Sequence, residues 1–404
     1  MDKFIVIVLD GFGVGAMEDT PRVRPSDVGA NTCKHILEKK SQYPLPHLEQ
    51  LGLMNALGQE MGQRKMSPSA SFGCAELAHF GADTFMGHQE IMGTLPKLPV
   101  KEGFNLIIDK VYAALIQKGY AVSVKESSEC RFLVVNDALT IADNIEADLG
   151  QAYNITAALD LMPFAEVLEV GKIVRACARV SRVITFGGTA ISLEQILAAV
   201  ETKAGGYVGI NAPKSGVYNQ GYQCIHLGYG IDPSVQVPTI LGSKGIPVTL
   251  LGKVADIVAN DYGKSISCVD TAEVLALTKD EILSIDKGFI CTNVQETDLC
   301  GHRENLDAYF DKLRIADDYL GQIMPLLSGN DILLVMADHG NDPTIGHSRH
   351  TREKVPLLIY GPQLKPGSIG LRSTLSDVGA TVADYFGFST PEHGTSFLKE
   401  LIKG

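Results

Sequence analysis

Two distant segments of this chain share one shape. "KFIVIVLDGFG", residues 3–13, and "DILLVMADHG", residues 331–340, are unbroken apolar runs that end abruptly in an acid. A run without polar alternation does not suit a strand with one wet face. It fits a central strand buried on both sides, as in a parallel sheet covered by helices. "GFICTNVQETD" repeats the shape more weakly, and "VPLLIYGP" and "IPVTLLGKVADI" read as neighbouring strands. Between them, "NLDAYFDKLRIADDYLGQIMPLL" spaces apolar residues three and four apart, the period of a helix with one buried face. Strands alternating with helices predict an α/β fold with a doubly wound, mainly parallel sheet, whose functional groups collect at the carboxyl ends of the strands.

The chain has 404 residues, beyond the roughly 250–300 at which single cores stop growing. Two domains are therefore expected, and the change of texture assigns 1–95 and 222–404 to the core and 96–221 to an inserted α/β cap ending in a Gly-rich stretch. A net charge of −12 argues against a nucleic-acid partner, while leaving room for a local basic pocket that holds a phosphate. The eight cysteines are scattered without a C-x-x-C pair and read as reduced packing residues of a cytoplasmic protein. The apolar run Phe4 to Leu9 is too short for a membrane span, so no membrane partner is expected.

The strand ends carry metal-ligand chemistry. Asp10 closes the first run, Asp298 and His302 lie in "TDLCGH", and Asp338 and His339 end the "DILLVMADHG" run, with His350 in the loop beyond. Carboxylate oxygen with imidazole nitrogen and no thiolate suits Mn²⁺, Zn²⁺ or Mg²⁺, and six such residues suffice for two divalent ions. Taken singly, each has a structural reading: Asp10 as a helix cap, His302 as a capping residue, "DHG" as a turn. Together they point to one edge of one sheet. His347, in a Gly-flanked loop, reads as solvated.

In "GADTFMGHQEIMGT", residues 81–94, Thr84 follows an acid in a glycine-rich loop that opens a helical pattern. Its hydroxyl would stand at a helix N-terminus, where anions bind, and beside two cations it could accept a phosphoryl group. An N-cap threonine is the alternative.

The motifs "VLDGFGVGAM", "GANTCKHI", "GADTFMGHQEIMGT", "GKVADI", "ADHGNDP", "HTREKVPLLIYGP", "DVGATVADYFG" and "PEHGTSFL" occur in order and resemble the phosphopentomutases, cap-bearing members of the alkaline phosphatase superfamily that share a metalloenzyme core with cofactor-independent phosphoglycerate mutases. The resemblance covers Met1 to Gly93 and Gly252 to Leu398. It implies an enzyme with two manganese ions that interconverts ribose 1-phosphate and ribose 5-phosphate through a phosphothreonine, primed by a sugar bisphosphate. By the same resemblance Thr84 is the catalytic nucleophile and a metal ligand. Asp10, Asp338 and His339 hold the metal beside it, and Asp298, His302 and His350 hold the second. Asp143 and Lys253 match substrate-binding positions, and Arg175 stands one position from a cap arginine.

Departures concentrate in the insert. "SGVYNQGYQCIHLGYG" keeps Asn219 but has no arginine where the family has a basic stretch, Ile141 replaces a serine, and Gln89 replaces a tryptophan. The spacing Asp298-Leu-Cys-Gly-His302 is that of the phosphoglycerate mutases. Loss of a charged hydrogen bond to phosphate costs about 1.5–3 kcal/mol, enough to change the preferred sugar phosphate while the metal chemistry stays. A phosphatase or phosphodiesterase with the same ligands, and a phosphosugar-binding protein without turnover, are the competing readings. Oligomeric state is open.

Overall fold

The computed structural model describes residues 2–146 and 149–402. The chain folds into two compact units, Met1–Pro96 with Asp232–Gly404, and Lys97–Ile231.

The first unit is built on eight strands: β1 (Asp2–Leu9), β2 (Ser71–Ala75), β3 (Val248–Leu251), β4 (Lys264–Ile266), β5 (Lys287–Val294), β6 (Ile332–Met336), β7 (Val355–Tyr360) and β8 (Gly367–Arg372). Their order is β4-β3-β5-β1-β6-β7-β2-β8. All run in one direction except β7, which pairs antiparallel with both β6 and β2. The reversal has a local cause. No crossover helix separates β6 from β7, and a parallel return needs one.

β1 lies between β5 and β6, in register from Asp2 opposite Lys287 to Leu9 opposite Val294 and from Phe4 opposite Ile332 to Val8 opposite Met336. Both of its faces are therefore covered, which is why Phe4 to Leu9 are all buried and why the run has no polar alternation. The parallel register also brings Asp10, Asp298 and Asp338 out at the same sheet edge. Among the covering helices, Leu306–Ile323 buries Tyr309, Phe310, Leu313, Ala316, Leu320 and Ile323, the predicted stripe. No helix among the described residues is long and apolar enough to cross a membrane.

The second unit has a six-stranded sheet, ordered Gln223–Gly228, Arg182–Gly188, Ala152–Ala158, Leu139–Asp143, Cys130–Val135 and Val122–Ser127, with one parallel pair between Ala152–Ala158 and Arg182–Gly188. Val167, Val170 and Val174 of the helix Phe164–Cys177 pack on Tyr153, Ile155 and Val183 in its core. This unit reaches further than the sequence reading, which ended the insert at 221. Strand Gln223–Gly228 pairs antiparallel with Arg182–Gly188 over six residues, so the segment through Ile231 belongs to the second unit.

Candidate active site

At the carboxyl edge of the first unit's sheet, Asp10 and Asp338 are fully buried. Asp338 Oδ2 accepts a hydrogen bond from Thr84 Oγ1 at 2.6 Å, and its Oδ1 accepts the Gly11 N–H at 3.2 Å. Thr84 is the first residue of the helix Thr84–Ile91, and the N-cap is Asp83, whose side chain accepts the Met86 N–H. The cap therefore leaves the Thr84 hydroxyl free to face the carboxylates. Gly87 permits this approach, because a Cβ there would lie 2.8 Å from the Asp338 carbonyl oxygen.

The three histidines are oriented alike. His339 Nδ1 donates to Gly340 O at 2.9 Å, His350 Nδ1 to Ala82 O at 2.8 Å, and His302 Nδ1 to Ser348 O at 2.6 Å. Each ring has its Nδ1 proton held by a backbone carbonyl and turns its Nε2 toward the carboxylates, the arrangement that metal-ligating histidines adopt. His339 Nε2 lies 3.4 Å from Asp10 Oδ1 and 3.3 Å from Asp338 Oδ2. Asp298 faces His350 and His302 Nε2 at 3.3 Å each.

The ligand atoms fall into two groups, Asp10, Asp338 and His339, and Asp298, His339 and His350. His339, expected beside one ion only, stands between both. His302 joins the second through Asp298 and through its Nε2, 2.9 Å from that of His350.

The residues fit divalent cations on an independent observation. Asp10 Oδ1 and His339 Nε2 are buried without a hydrogen-bond partner, and an unpaired buried carboxylate oxygen is costly unless a cation answers it. Burial, reinforced by the Asp338 charge, pushes the Asp10 carboxyl up to about 7. Burial also pulls the His339 imidazole down to about 4, which keeps its lone pair available.

The three substrate-binding expectations fare differently. Lys253 Nζ lies 2.9 Å from Asp10 Oδ2 and 3.6 Å from Asp298 Oδ2, so the ammonium is engaged with the carboxylate cluster itself. Asp143, in the second unit, is fully buried. Its oxygens accept the Phe104 N–H at 2.7 Å and the Val208 N–H at 3.1 Å. Arg175 donates to Leu227 O and Ala178 O and covers the Tyr229 ring at 5.3 Å. Both side chains thus bond backbone groups of their own unit. His347 Nε2 turns to Asp27 Oδ1 at 3.2 Å, away from the ligand set.

Several site residues were missed in the sequence. Asn341 Nδ2 donates to Asp298 Oδ1 at 2.7 Å, and Asn293 Nδ2 donates to Asp10 Oδ2 at 3.1 Å. His88 Nδ1 meets Thr84 O at 2.9 Å. Arg352 uses its guanidinium on Asp19, Leu77, His79 and Gly81, pinning the loop that leads to Thr84. All four lie inside quoted motifs or strand ends, and polar residues at such buried positions were the available signal. A cavity of about 700 Å³ opens at the opposite sheet edge, lined by Asp2, Lys287, Asp331 and Tyr385 among others, away from both ligand groups.

The profile of the Metalloenzyme superfamily matches residues 2–390. A phosphopentomutase of Caldanaerobacter subterraneus subsp. tengcongensis is 30% identical over 99% of this chain and 98% of its own. A phosphopentomutase of Desulfitobacterium hafniense is 29% identical over the full length of both chains. Among solved structures, a phosphoglycerate mutase of Leishmania mexicana aligns with a TM-score of 0.44 and 14% identity over 97% of each chain. With a profile match over nearly the whole chain and full-length relatives of this kind, the chain belongs to the metalloenzyme superfamily, as a phosphopentomutase-like phosphomutase enzyme.

Proposed function

We propose that this enzyme moves a phosphoryl group within a sugar phosphate, ribose 1-phosphate and ribose 5-phosphate being the first candidates, through a phosphorylated Thr84. The observation that carries the reading is the 2.6 Å hydrogen bond from Thr84 Oγ1 to Asp338 Oδ2, at the N-terminus of a helix and on a member of the Asp10, Asp338 and His339 group. Two divalent ions, with Mn²⁺ first and Zn²⁺ or Mg²⁺ as alternatives, would be held by Asp10, Asp338, His339 and Thr84, and by Asp298, His302 and His350. Bound there, they would supply Lewis-acid stabilisation of phosphoryl oxygens and lower the pKa of a coordinated hydroxyl.

The protein's own groups account for the rest. The Thr84–Ile91 helix presents the hydroxyl with its N-terminal N–H groups behind it, a favourable place for a phosphoryl anion. Asp338 Oδ2 stands where the hydroxyl proton points. In the forward half-reaction the bond between phosphorus and Thr84 Oγ1 breaks, a bond from phosphorus to a sugar hydroxyl oxygen forms, and the proton of that hydroxyl ends on Thr84 Oγ1. The resulting bisphosphate returns its other phosphoryl group to Thr84, which conserves the phosphothreonine. A sugar bisphosphate would prime the first turnover. The insert, 97–231 as it folds, is proposed to select the sugar, and the cytoplasm is the proposed location.

A phosphatase of the same superfamily is the second reading. It is favoured by the hydrogen bonds of Arg175 to two backbone carbonyls, which occupy part of the guanidinium that the resemblance offers for phosphate.

Phosphorus NMR of Mn²⁺-loaded protein with ribose 5-phosphate and a trace of glucose 1,6-bisphosphate tests the proposal, with Thr84→Ala as control. Ribose 1-phosphate that disappears with the variant supports the mutase. Free phosphate alone replaces it with the hydrolase.

A further inference from the structure

We infer that His88 and Asn293 are positioning residues that act as one bridge between Asp10 and the helix that presents Thr84. The assignment rests on the phosphomutase reading only for its effect on Thr84, and its geometry stands by itself. Both side chains are fully buried. Asn293 lies in β5 opposite Val8 of β1, one residue short of the strand's end. His88 sits one helical turn beyond Thr84.

The hydrogen-bond directions are determined in sequence. Asp10 Oδ2 also accepts from the Lys253 ammonium at 2.9 Å, which marks it as the acceptor oxygen and makes the Asn293 atom 3.1 Å from it the amide nitrogen. The other proton of that nitrogen points at His88 Nε2, 3.0 Å away. An imidazole accepting at Nε2 carries its proton on Nδ1. That Nδ1 lies 2.9 Å from the Thr84 carbonyl oxygen and 3.2 Å from Asp338 Oδ2, the oxygen that also accepts the Thr84 hydroxyl. One unbroken path thus runs from Asp10 through Asn293 and His88 to Asp338 and to the backbone of Thr84.

A further observation separates this bridge from ordinary core packing. Asn293 Oδ1 is buried with no partner. Leaving that oxygen unpaired is unfavourable, and an apolar residue would avoid the cost if only packing were needed. What the asparagine provides is the donor side, directed at a metal-ligand carboxylate and at the ring that orients the second one. Partners of this kind fix ligand orientation, and their loss typically lowers metal affinity or activity by about 10–100-fold.

The test is a double-mutant cycle with His88→Ala, Asn293→Ala and the double variant, read in two ways on full-length protein. Mn²⁺ affinity is measured by titration calorimetry without substrate. Thr84 phosphorylation is measured by intact mass after addition of glucose 1,6-bisphosphate, and thermal melts verify folding. Each single variant is expected to weaken Mn²⁺ binding by about 10-fold or more, and the double variant by no more than the worse single one, because either change breaks the same path. Single variants within twofold of the parent, or losses that multiply in the double variant, overturn the bridge. Should His88→Ala not fold, His88→Asn replaces it in the cycle. Asparagine keeps a donor near the Nδ1 position and loses the acceptor, so its Mn²⁺ affinity should fall with that of Asn293→Ala. If it binds Mn²⁺ like the parent, the bridge is overturned. Absence of phosphorylation in the parent would remove the mutase reading, while the Mn²⁺ cycle would still decide the bridge.

Discussion

His302 and His350 turn their Nε2 atoms toward each other at a separation of 2.9 Å, each with its Nδ1 held by a backbone carbonyl. Two imidazole nitrogens this close, with Asp298 3.3 Å from both, form a donor set that suits a cation. Removal of bound metal with a chelator should therefore lower the melting temperature by several degrees. Mn²⁺ at about 100 times its Kd should restore about 2.7 kcal/mol. His350→Ala should cut the restoration sharply, as read by differential scanning calorimetry with and without Mn²⁺. Equal melting curves in all conditions would remove the second ligand group.

Asp143 provides a separation between holding a fold and holding a substrate. Asp143→Asn keeps the size but turns an amide nitrogen toward either the Phe104 or the Val208 N–H, so one buried donor loses its acceptor. We expect a loss of about 1–3 kcal/mol in denaturant unfolding of the protein. If KM for the sugar phosphate rises while stability is unchanged, Asp143 instead touches substrate.

Gly87 tests the approach of the Thr84 helix to Asp338. Gly87→Ala would place a methyl 2.8 Å from the Asp338 carbonyl oxygen and 3.1 Å from its Cβ. The helix must retreat, at a cost of about 1–3 kcal/mol for overpacking. Phosphorylation of Thr84, followed by intact mass, should slow at least 10-fold, because transfer depends on placement to within an ångström. An unchanged rate would mean that the hydroxyl is not placed by this contact.

Glu353 sets an expected pH dependence of stability. Its Oε2 accepts the Gly15 and Thr32 N–H groups and its Oε1 meets the Thr32 and Thr351 hydroxyls, which can rotate to accept a proton from it. Burial pushes this carboxyl from 4.5 up to about 7. An acid that is harder to ionise in the folded state contributes its full stability below the unfolded value and loses it as pH rises through the folded one. The stability of the parent relative to Glu353→Gln should therefore fall by on the order of a few kcal/mol between about pH 4.5 and pH 7, measured by urea denaturation at several pH values. A profile without that fall across the window would show that the carboxyl is already ionised in the folded state.

Much of the active-site edge was legible because the signal is local. A buried strand cannot tolerate a carboxylate, so an acid at the end of "KFIVIVLD" or "DILLVMAD" marks both where the strand stops and where a cation is needed. The parallel direction of β1, β5 and β6 then brings Asp10, Asp298 and Asp338 to one edge, as the strand-helix alternation implied. The place of Thr84 at the start of a helix was readable from the acid before it and the helical pattern after it.

The remainder depends on which strands lie side by side, and this is a tertiary property. Nothing near Asn293 in the chain announces that register places it opposite Val8 and beside Asp10, or that His88 reaches it from another element. Lys253 looked like a substrate ligand by position, and folding sets it between two carboxylates that need a counter-charge. Asp143 and Arg175 match substrate-binding positions by resemblance, and in the fold their side chains hydrogen-bond backbone groups that the motifs do not announce. The sequence by itself determined the chemistry available at the strand ends, because burial and period act on neighbours in the chain. Only the tertiary structure decided which polar groups meet, because hydrogen bonds and charge pairs join residues that the chain keeps far apart.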